Sequence, residues 1–277
     1  MPVRYHAYDV RGAAPGTHRG LPSPSLTFVL PIGPALELEA PDGTRSLYRA
    51  CLAGLHDAPE RIVHDGVQTG IQLSVPPLAA RALFGLPAAE LAGVSVEAAD
   101  VLGRVGDELV ERVGTGATWA ERFAALDDVL DRLRRAHDDG PRASDEVRHA
   151  WRRVLAGRSV RGTAQEIGWS EDHLSRRFRA EFGVRPKVAG RMARFDRARQ
   201  DIAARALAGR LDLADVAAVH GFADQAHLAR EFRALAGCSA TRWVAEEVHG
   251  GLVGPAAAPE VGSVQDDDPG PAPGWAA

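Results

Sequence analysis

The sequence predicts an α+β chain. A small β-rich, cupin-like domain with added helices comes first, then an all-α domain in which a long helix joins two helix-turn-helix units. Three observations predict this. Residues 1–75 hold short apolar runs broken by Pro and Gly. Apolar residues fall at helical spacing from about residue 78 onward. One helical pattern occurs twice, as GWSEDHLSRRFRAEFG at 168–183 and GFADQAHLAREFRALAG at 221–237.

In the first region, Leu26–Leu30, Ala35–Glu39 and Gly70–Val75 read as strands. The last two alternate apolar and polar residues, as half-buried strands do. Turn signals stand at Pro41-Asp-Gly-Thr44 and His64-Asp-Gly66. Leu78 to Phe84 is a short helical stretch, and Ala98 to Val113 places Val101, Leu102, Val105, Leu109, Val110 and Val113 at helical spacing. Thr118-Trp-Ala-Glu121 is a capping-box pattern, a hydroxyl followed three residues later by a carboxylate. It opens a helix over 118–136 with Phe123, Leu126, Val129, Leu130 and Leu133 on one face. That face is read either as a dimer seam or as packing on its own β unit.

The linker is 138–143, and 144–249 reads as almost entirely helical. The remainder, 250–277, is rich in Gly, Pro, Ala and Asp and is expected to be a disordered tail.

The repeat carries the most information. Ala164, Gly168 and Trp169 recur 53 residues on as Ala217, Gly221 and Phe222. Leu174, Arg176, Phe178, Arg179 and Gly183 recur 54 on as Leu228, Arg230, Phe232, Arg233 and Gly237, so the second turn holds one extra residue. Within a copy, a short helix ends at a glycine suited to positive φ. Ser170 then caps a second helix that buries Leu174, Phe178 and Phe182 at i, i+4 and i+8. In the second copy Asp212 caps the short helix, and Asp224 starts the one that buries Leu228 and Phe232. Short helix, glycine turn and second helix make a unit whose second helix can enter a DNA major groove. Pro186 to about Ala208 supplies a connecting helix of roughly 30 Å, against about 34 Å for one turn of duplex.

Charge agrees. Residues 142–250 hold 20 Lys and Arg against 14 Asp and Glu, whereas residues 1–141 hold 13 against 19. A basic segment in a chain of net charge −4 points to a polyanionic partner for that segment.

On the outward faces, the base-contact candidates are Asp172, Ser175 and Arg176 in the first copy and Gln225, Ala226, His227 and Arg230 in the second. Arginine can bind guanine O6 and N7 in a bidentate way, glutamine can pair with adenine, and a carboxylate such as Asp172 can accept from cytosine N4. Arg179 and Arg233, one turn further on, and Ser170 are candidates for phosphate. Trp169 and Phe222 are read as core aromatics at the turn.

Other chemistries find less support. No run of about 18 apolar residues predicts a membrane span, and MPVRYHAYDVRG does not pattern as a signal peptide. The two cysteines, Cys51 and Cys238, form no metal-type spacing. His56, Glu60 and His64 lack the H-x-H spacing of a cupin metal motif, and no phosphate-binding loop or nucleophile elbow occurs. Cys51 is read as structural rather than as a redox sensor. The expectation is a cytoplasmic, non-enzymatic protein without metal or cofactor. A cupin-like metalloenzyme on a helical scaffold stands as the alternative.

Three stretches together resemble the AraC-type (AraC/XylS) family of transcription regulators. They are A-x3-GWS-x3-L-x-R-x-F-x4-G-x2-P from Ala164 to Pro186, Arg194 with Ala198, and GFADQAHLAREFRALAG. Two departures are visible: Gly237-Cys-Ser-Ala240 lacks the usual proline, and Pro186-Lys-Val-Ala-Gly190 lacks a common aromatic. The resemblance implies a sequence-specific regulator that binds double-stranded DNA through 144–249. It also implies a sensor or dimerisation domain over 1–137, comprising the β unit 1–75 and helices 78–136. The partners it implies are a small-molecule effector of unknown site, with the β-unit interior as the expected location, a homodimer through helix 118–136, and RNA polymerase for an activator. A regulator that needs no effector is the remaining alternative.

Overall fold

A computed structural model describes residues 3–40, 42–252 and 263–264. The N-terminal half is a two-sheet β unit covered by helices. Strands β1 (Val3–Arg11), β3 (Leu26–Pro31), β6 (Cys51–Ala53), β8 (Val67–Val75), β9 (Ser95–Glu97) and β10 (Ser263–Val264) form an antiparallel sheet in the order β10-β1-β8-β3-β6-β9. Strands β2 (Gly16–Gly20), β4 (Leu36–Glu39), β5 (Arg45–Tyr48) and β7 (Glu60–His64) form a second, in the order β2-β7-β4-β5. The three predicted strands are β3, β4 and β8. The glycines of the two predicted turns, Gly43 and Gly66, have positive φ; Pro41 lies outside the described residues.

The larger sheet sorts its residues by the strand period. Leu26, Phe28 and Leu30 on β3 and Ile71, Leu73 and Val75 on β8 are buried on one face. The helices α1 (Ala80–Phe84), α2 (Ala98–Leu102), α3 (Arg104–Thr115) and α4 (Trp119–Ala136) cover that face. Leu36, Leu38 and Cys51 form a smaller cluster with Val29, Tyr48 and Ile62 from the two sheets. The expected helix 98–113 is broken, because Gly103 takes φ +58° and ψ −140°, a conformation open only to glycine.

Thr118 caps α4 as predicted: its Oγ1 accepts from the Glu121 N–H at 3.2 Å. The Glu121 carboxylate reaches one residue further back than expected and accepts from the Ala117 N–H at 2.7 Å. Phe123, Leu126, Val129, Leu130 and Leu133 are all buried in the core of their own domain. The apolar stripe of 118–136 is therefore consumed within the chain, and only the polar face of α4 remains outward.

The helical half runs α5 (Asp145–Leu155), α6 (Val160–Glu166), α7 (Glu171–Phe182), α8 (Pro186–Leu207), α9 (Leu213–Val219), α10 (Gln225–Ala236) and α11 (Ala240–Trp243), followed by one π turn over Val244–Val248. Two cores form here. Trp151, Leu174, Phe178, Phe182, Ala189 and Met192 pack in the first. Phe195, Ala198, Ile202, Leu228, Phe232 and Trp243 pack in the second. Helix α8 belongs to both and so fixes one against the other. Of 250–277, only 250–252 and the short strand β10 are described; the expectation of a disordered tail otherwise lies outside the described residues.

Candidate nucleic-acid interface

The two copies fold alike down to their backbone bonds. In the first, the Trp169 N–H donates to Ala164 O at 2.9 Å and the Gly168 N–H to Gln165 O at 3.2 Å. In the second, Phe222 N–H donates to Ala217 O at 2.9 Å and Gly221 N–H to Ala218 O at 3.3 Å. This is the Schellman pattern that ends a helix on a left-handed residue, and Gly168 and Gly221 both have φ +71°. The repeated alanine thus serves as a small side chain between helices and as the carbonyl that closes the turn.

Each second helix starts on a side-chain cap. Ser170 Oγ accepts from His173 N–H at 3.2 Å, and Asp224 Oδ1 accepts from His227 N–H at 2.6 Å. The extra residue of the second turn, Ala223, donates its N–H to His227 Nδ1 at 3.2 Å. That bond puts the ring proton on Nε2. Both histidines also set an edge against the aromatic of the turn: His173 on Trp169 with ring centres 4.6 Å apart, His227 on Phe222 at 5.4 Å. His173 was not among the expected site residues, although the 54-residue offset pairs it with His227.

The predicted contact residues lie on one outward side of each helix. Asp172, Arg176 and Arg179 on α7 are exposed and Ser175 is half-buried. On α10, Gln225, Ala226, Arg230 and Arg233 are exposed and His227 is half-buried. Ser170 is exposed, with its oxygen used in the cap. Opposite them, Leu174, Phe178, Leu228 and Phe232 are buried, as expected. Phe222 is buried beneath the Arg194 guanidinium, 4.7 Å from the ring centre, and Trp169 packs at the edge of the first core.

Charge pairing separates these arginines from others nearby. Arg153 pairs with Glu166, Arg191 with Glu231, Arg199 with Asp196 and Arg205 with Asp201. Among the described residues, Arg176, Arg179, Arg230 and Arg233 make no ion pair. Four guanidiniums at matching positions on two helices therefore face outward without a protein carboxylate. Helix α8, with 22 residues, spans about 33 Å.

The N-terminal domain grips both units. Arg81 on α1 donates from Nε and Nη2 to the two carboxylate oxygens of Glu181 on α7, at 2.8 and 2.9 Å. Arg19 on β2 donates to Glu246 at 2.9 Å and to the buried Glu247 at 2.7 Å, beside α11. Trp243 Nε1–H donates to the same Glu247 at 3.0 Å. Burial raises the Glu247 carboxyl, and its bond to Arg19 opposes that rise. Nothing in the local sequence marks Glu181 or Glu247, because their partners lie 100 and 228 residues away.

Of the residues weighed for metal chemistry, His56 and Glu60 have hydrogen-bond partners within the protein. His56 Nδ1 lies 3.1 Å from Gly54 O, and Ser95 donates to Glu60. Among the described residues, no group of three or more His, Cys, Asp or Glu is placed to hold a metal ion. Cys51 is buried, and burial pushes its thiol up to about 12, which leaves little thiolate for redox chemistry. No described helix is long and apolar enough to cross a membrane.

Residues 163–246 match the model of a helix-turn-helix domain. No curated protein matches the sequence. Among solved structures, ToxT from Vibrio cholerae at 1.65 Å resolution is similar over 89% of this chain and 99% of its own, with 9% identity and a TM-score of 0.50. ToxT from Vibrio cholerae O395 bound to (E)-4-(8-methylnaphthalen-1-yl)but-3-enoic acid is similar over 88% of this chain and 99% of its own, with 11% identity and a TM-score of 0.50. At such identities the likeness is one of fold, and it spans both the β unit and the helical half. The doubled glycine turn, the connecting helix and the matched domain model agree that the C-terminal half of this chain carries a helix-turn-helix domain, over residues 163–246.

Proposed function

We propose that α7 and α10 lie in successive major grooves on one face of the duplex, so that a single chain reads a two-part site. The observation that carries this is the matched set of outward, unpaired arginines on two helices held by a rod about as long as one turn of DNA. Arg176 and Arg230 read bases, with Asp172, Ser175, Gln225, Ala226 and His227 tuning which bases are accepted. Arg179, Arg233 and Ser170 contact phosphates and make binding depend on salt. His227 offers Nε2–H, so it acts as a donor.

The reader spans 144–249, and 1–137 with the linker 138–143 forms a sensor that acts on it in the cytoplasm. Support for a small ligand comes from the neighbour of like fold, which is bound to a small carboxylic acid. Support for coupling comes from the contacts of the N-terminal domain with both reading units. A homodimer through α4 would use its polar face, since the apolar one is buried. Contact with RNA polymerase belongs to the reading as an activator.

The test is selection of binding sequences from random DNA, followed by fluorescence anisotropy on the selected site. The expected site has two conserved blocks about one turn apart, and adding half a turn between them abolishes specific binding. A single uninterrupted block, insensitive to such an insertion, would contradict the two-groove arrangement.

A further inference from the structure

Two leucines of the N-terminal domain join the two cores of the helical half, one each. Leu55, in the loop between β6 and β7, is buried in the first core with Trp151, Leu174 and Phe178. Leu21, the residue after β2, is half-buried against the second core, which holds Phe195, Phe232 and Trp243. Both come from one corner of the β unit, because Gly20 at the end of β2 pairs with Glu60 at the start of β7. Pro59, beside that pair, lies against Gly237 at the end of α10: a Cβ added to the glycine would stand 3.4 Å from Pro59 Cγ. Gly183, which matches Gly237 in the repeat, lies against Ala89 and Ala92 of the same domain. Backbone bonds hold the corner. Leu55 O accepts from the Gly93 N–H at 2.9 Å, the Gly54 N–H donates to Val94 O at 3.0 Å, and Leu91 O leaves no space for a side chain at Gly54.

We propose that the N-terminal domain is a splint that sets the separation and angle of α7 and α10, with Leu21 and Leu55 as its positioning residues. This deepens the two-groove reading and rests on it for its effect on DNA. Within the helical half, α8 is the element that both cores share. One helix fixes a separation but can still bend. A further body that holds both cores closes the frame, so that they are joined once through the rod and once through the domain. Apolar pegs suit this task, because a close-packed core fixes the position of what enters it. The pairs of Arg81 with Glu181 and of Arg19 with Glu247 act at the same two joints, and charged hydrogen bonds add direction. One added base pair moves a groove by about 3.4 Å along the axis. A frame closed in this way makes binding sensitive to spacing on that scale.

Spin labels on Ala180→Cys and Ala234→Cys read the frame without DNA. The two alanines are exposed and equivalent in the repeat, and the native Cys51 and Cys238 are buried. Dipolar distance measurement on the full chain should give one narrow distribution. Leu21→Ala and Leu55→Ala should each broaden it, whereas Leu55→Met, which nearly keeps the volume, should not. If Leu55→Ala does not fold, Leu21→Ala, at the margin of the second core, carries the test. Anisotropy on the selected site, with one base pair added between its blocks, reads the consequence. Wild type should lose about tenfold in affinity, and the alanine variants clearly less. A loss of stability alone lowers the active fraction on every DNA and leaves that ratio where it was. A distribution as narrow in the alanine variants as in wild type overturns the proposal. So does an unchanged spacing ratio in the variants beside a sharp wild-type one. Wild-type binding indifferent to the added base pair contradicts the two-groove reading instead, and the label distances still decide the splint.

Discussion

Arg81 and Glu181 join α1 of the N-terminal domain to α7, the second helix of the first helix-turn-helix unit, through two parallel hydrogen bonds of 2.8 and 2.9 Å. Both side chains are largely withdrawn from water, at 24% and 10% exposure. A bidentate pair in that setting fixes direction as well as distance. Arg81→Ala and Glu181→Ala should each destabilise the chain. The double variant should lose less than the sum, with a coupling of about 1–2 kcal/mol in a urea-denaturation cycle. Additive losses would mean that the pair does not couple the domains.

Gly183 ends α7 against the same domain. Its φ is +75°, and a Cβ there would lie 2.1 Å from Ala92 Cβ and 3.2 Å from Ala89 Cα. Gly168 has nearly the same φ, with nothing within 4 Å. Gly168→Ala should therefore cost about 1 kcal/mol, the conformational penalty alone. Gly183→Ala should cost roughly 2 kcal/mol more, since packed backbone must shift. Equal losses in thermal melts would show that the contact with Ala89 and Ala92 is loose.

The caps of the reading helices give a third prediction. Ser170→Ala and Asp224→Ala each remove the acceptor for a first-turn N–H, and each should cost about 1 kcal/mol of stability. Asp224→Ala should also free the first turn that carries Gln225 and His227, raising amide exchange there. Unchanged exchange would mean that the bond from Ala223 to His227 holds the turn by itself.

What the sequence made legible was local. Caps at Thr118, Ser170, Asp212 and Asp224, the glycine turns and the apolar stripe of α8 each depend on neighbours within a few residues, and all are present. Apolar spacing runs on through 98–113 and so hid the break, which depends on one backbone conformation at Gly103. Strands β2 and β7 carry polar, half-buried residues and give little period-2 signal. The stripe on α4 was readable as apolar, but its partner was not: the same five residues serve a dimer or a domain core equally well. The grip of Arg19 and Arg81 on the helical half joins residues far apart in the chain and leaves no pattern in either segment. On the reading face, the outward side of α7 and α10 followed from the buried side, whereas the tie between Ala223 and His227 needed the turn geometry.

His18 on β2 supplies a prediction about pH. Burial, then the neighbouring His64 ring 5.4 Å away and Arg19, push its imidazole down to about 4. Burial lowers His64 as well. The unfolded chain then binds protons between about pH 6.5 and 4 that the folded chain refuses, so stability falls as pH falls through that window. His18→Gln should flatten part of this slope in urea titrations at pH 7 and pH 5. A slope unchanged by the substitution would assign the proton uptake elsewhere.

The most direct test of the central claim compares Arg176→Ala, Arg230→Ala and wild type by fluorescence anisotropy on the selected site and on scrambled DNA, at two salt concentrations. If both helices read bases, each substitution costs about 1–3 kcal/mol on the selected site and relaxes selectivity in its own half. Arg179→Ala and Arg233→Ala in the same assay should instead weaken both DNAs alike and reduce the salt slope by about 1 each. If Arg176→Ala weakens both DNAs equally while Arg230→Ala alone affects selectivity, α7 is a backbone clamp and the chain reads one groove, which contradicts the account.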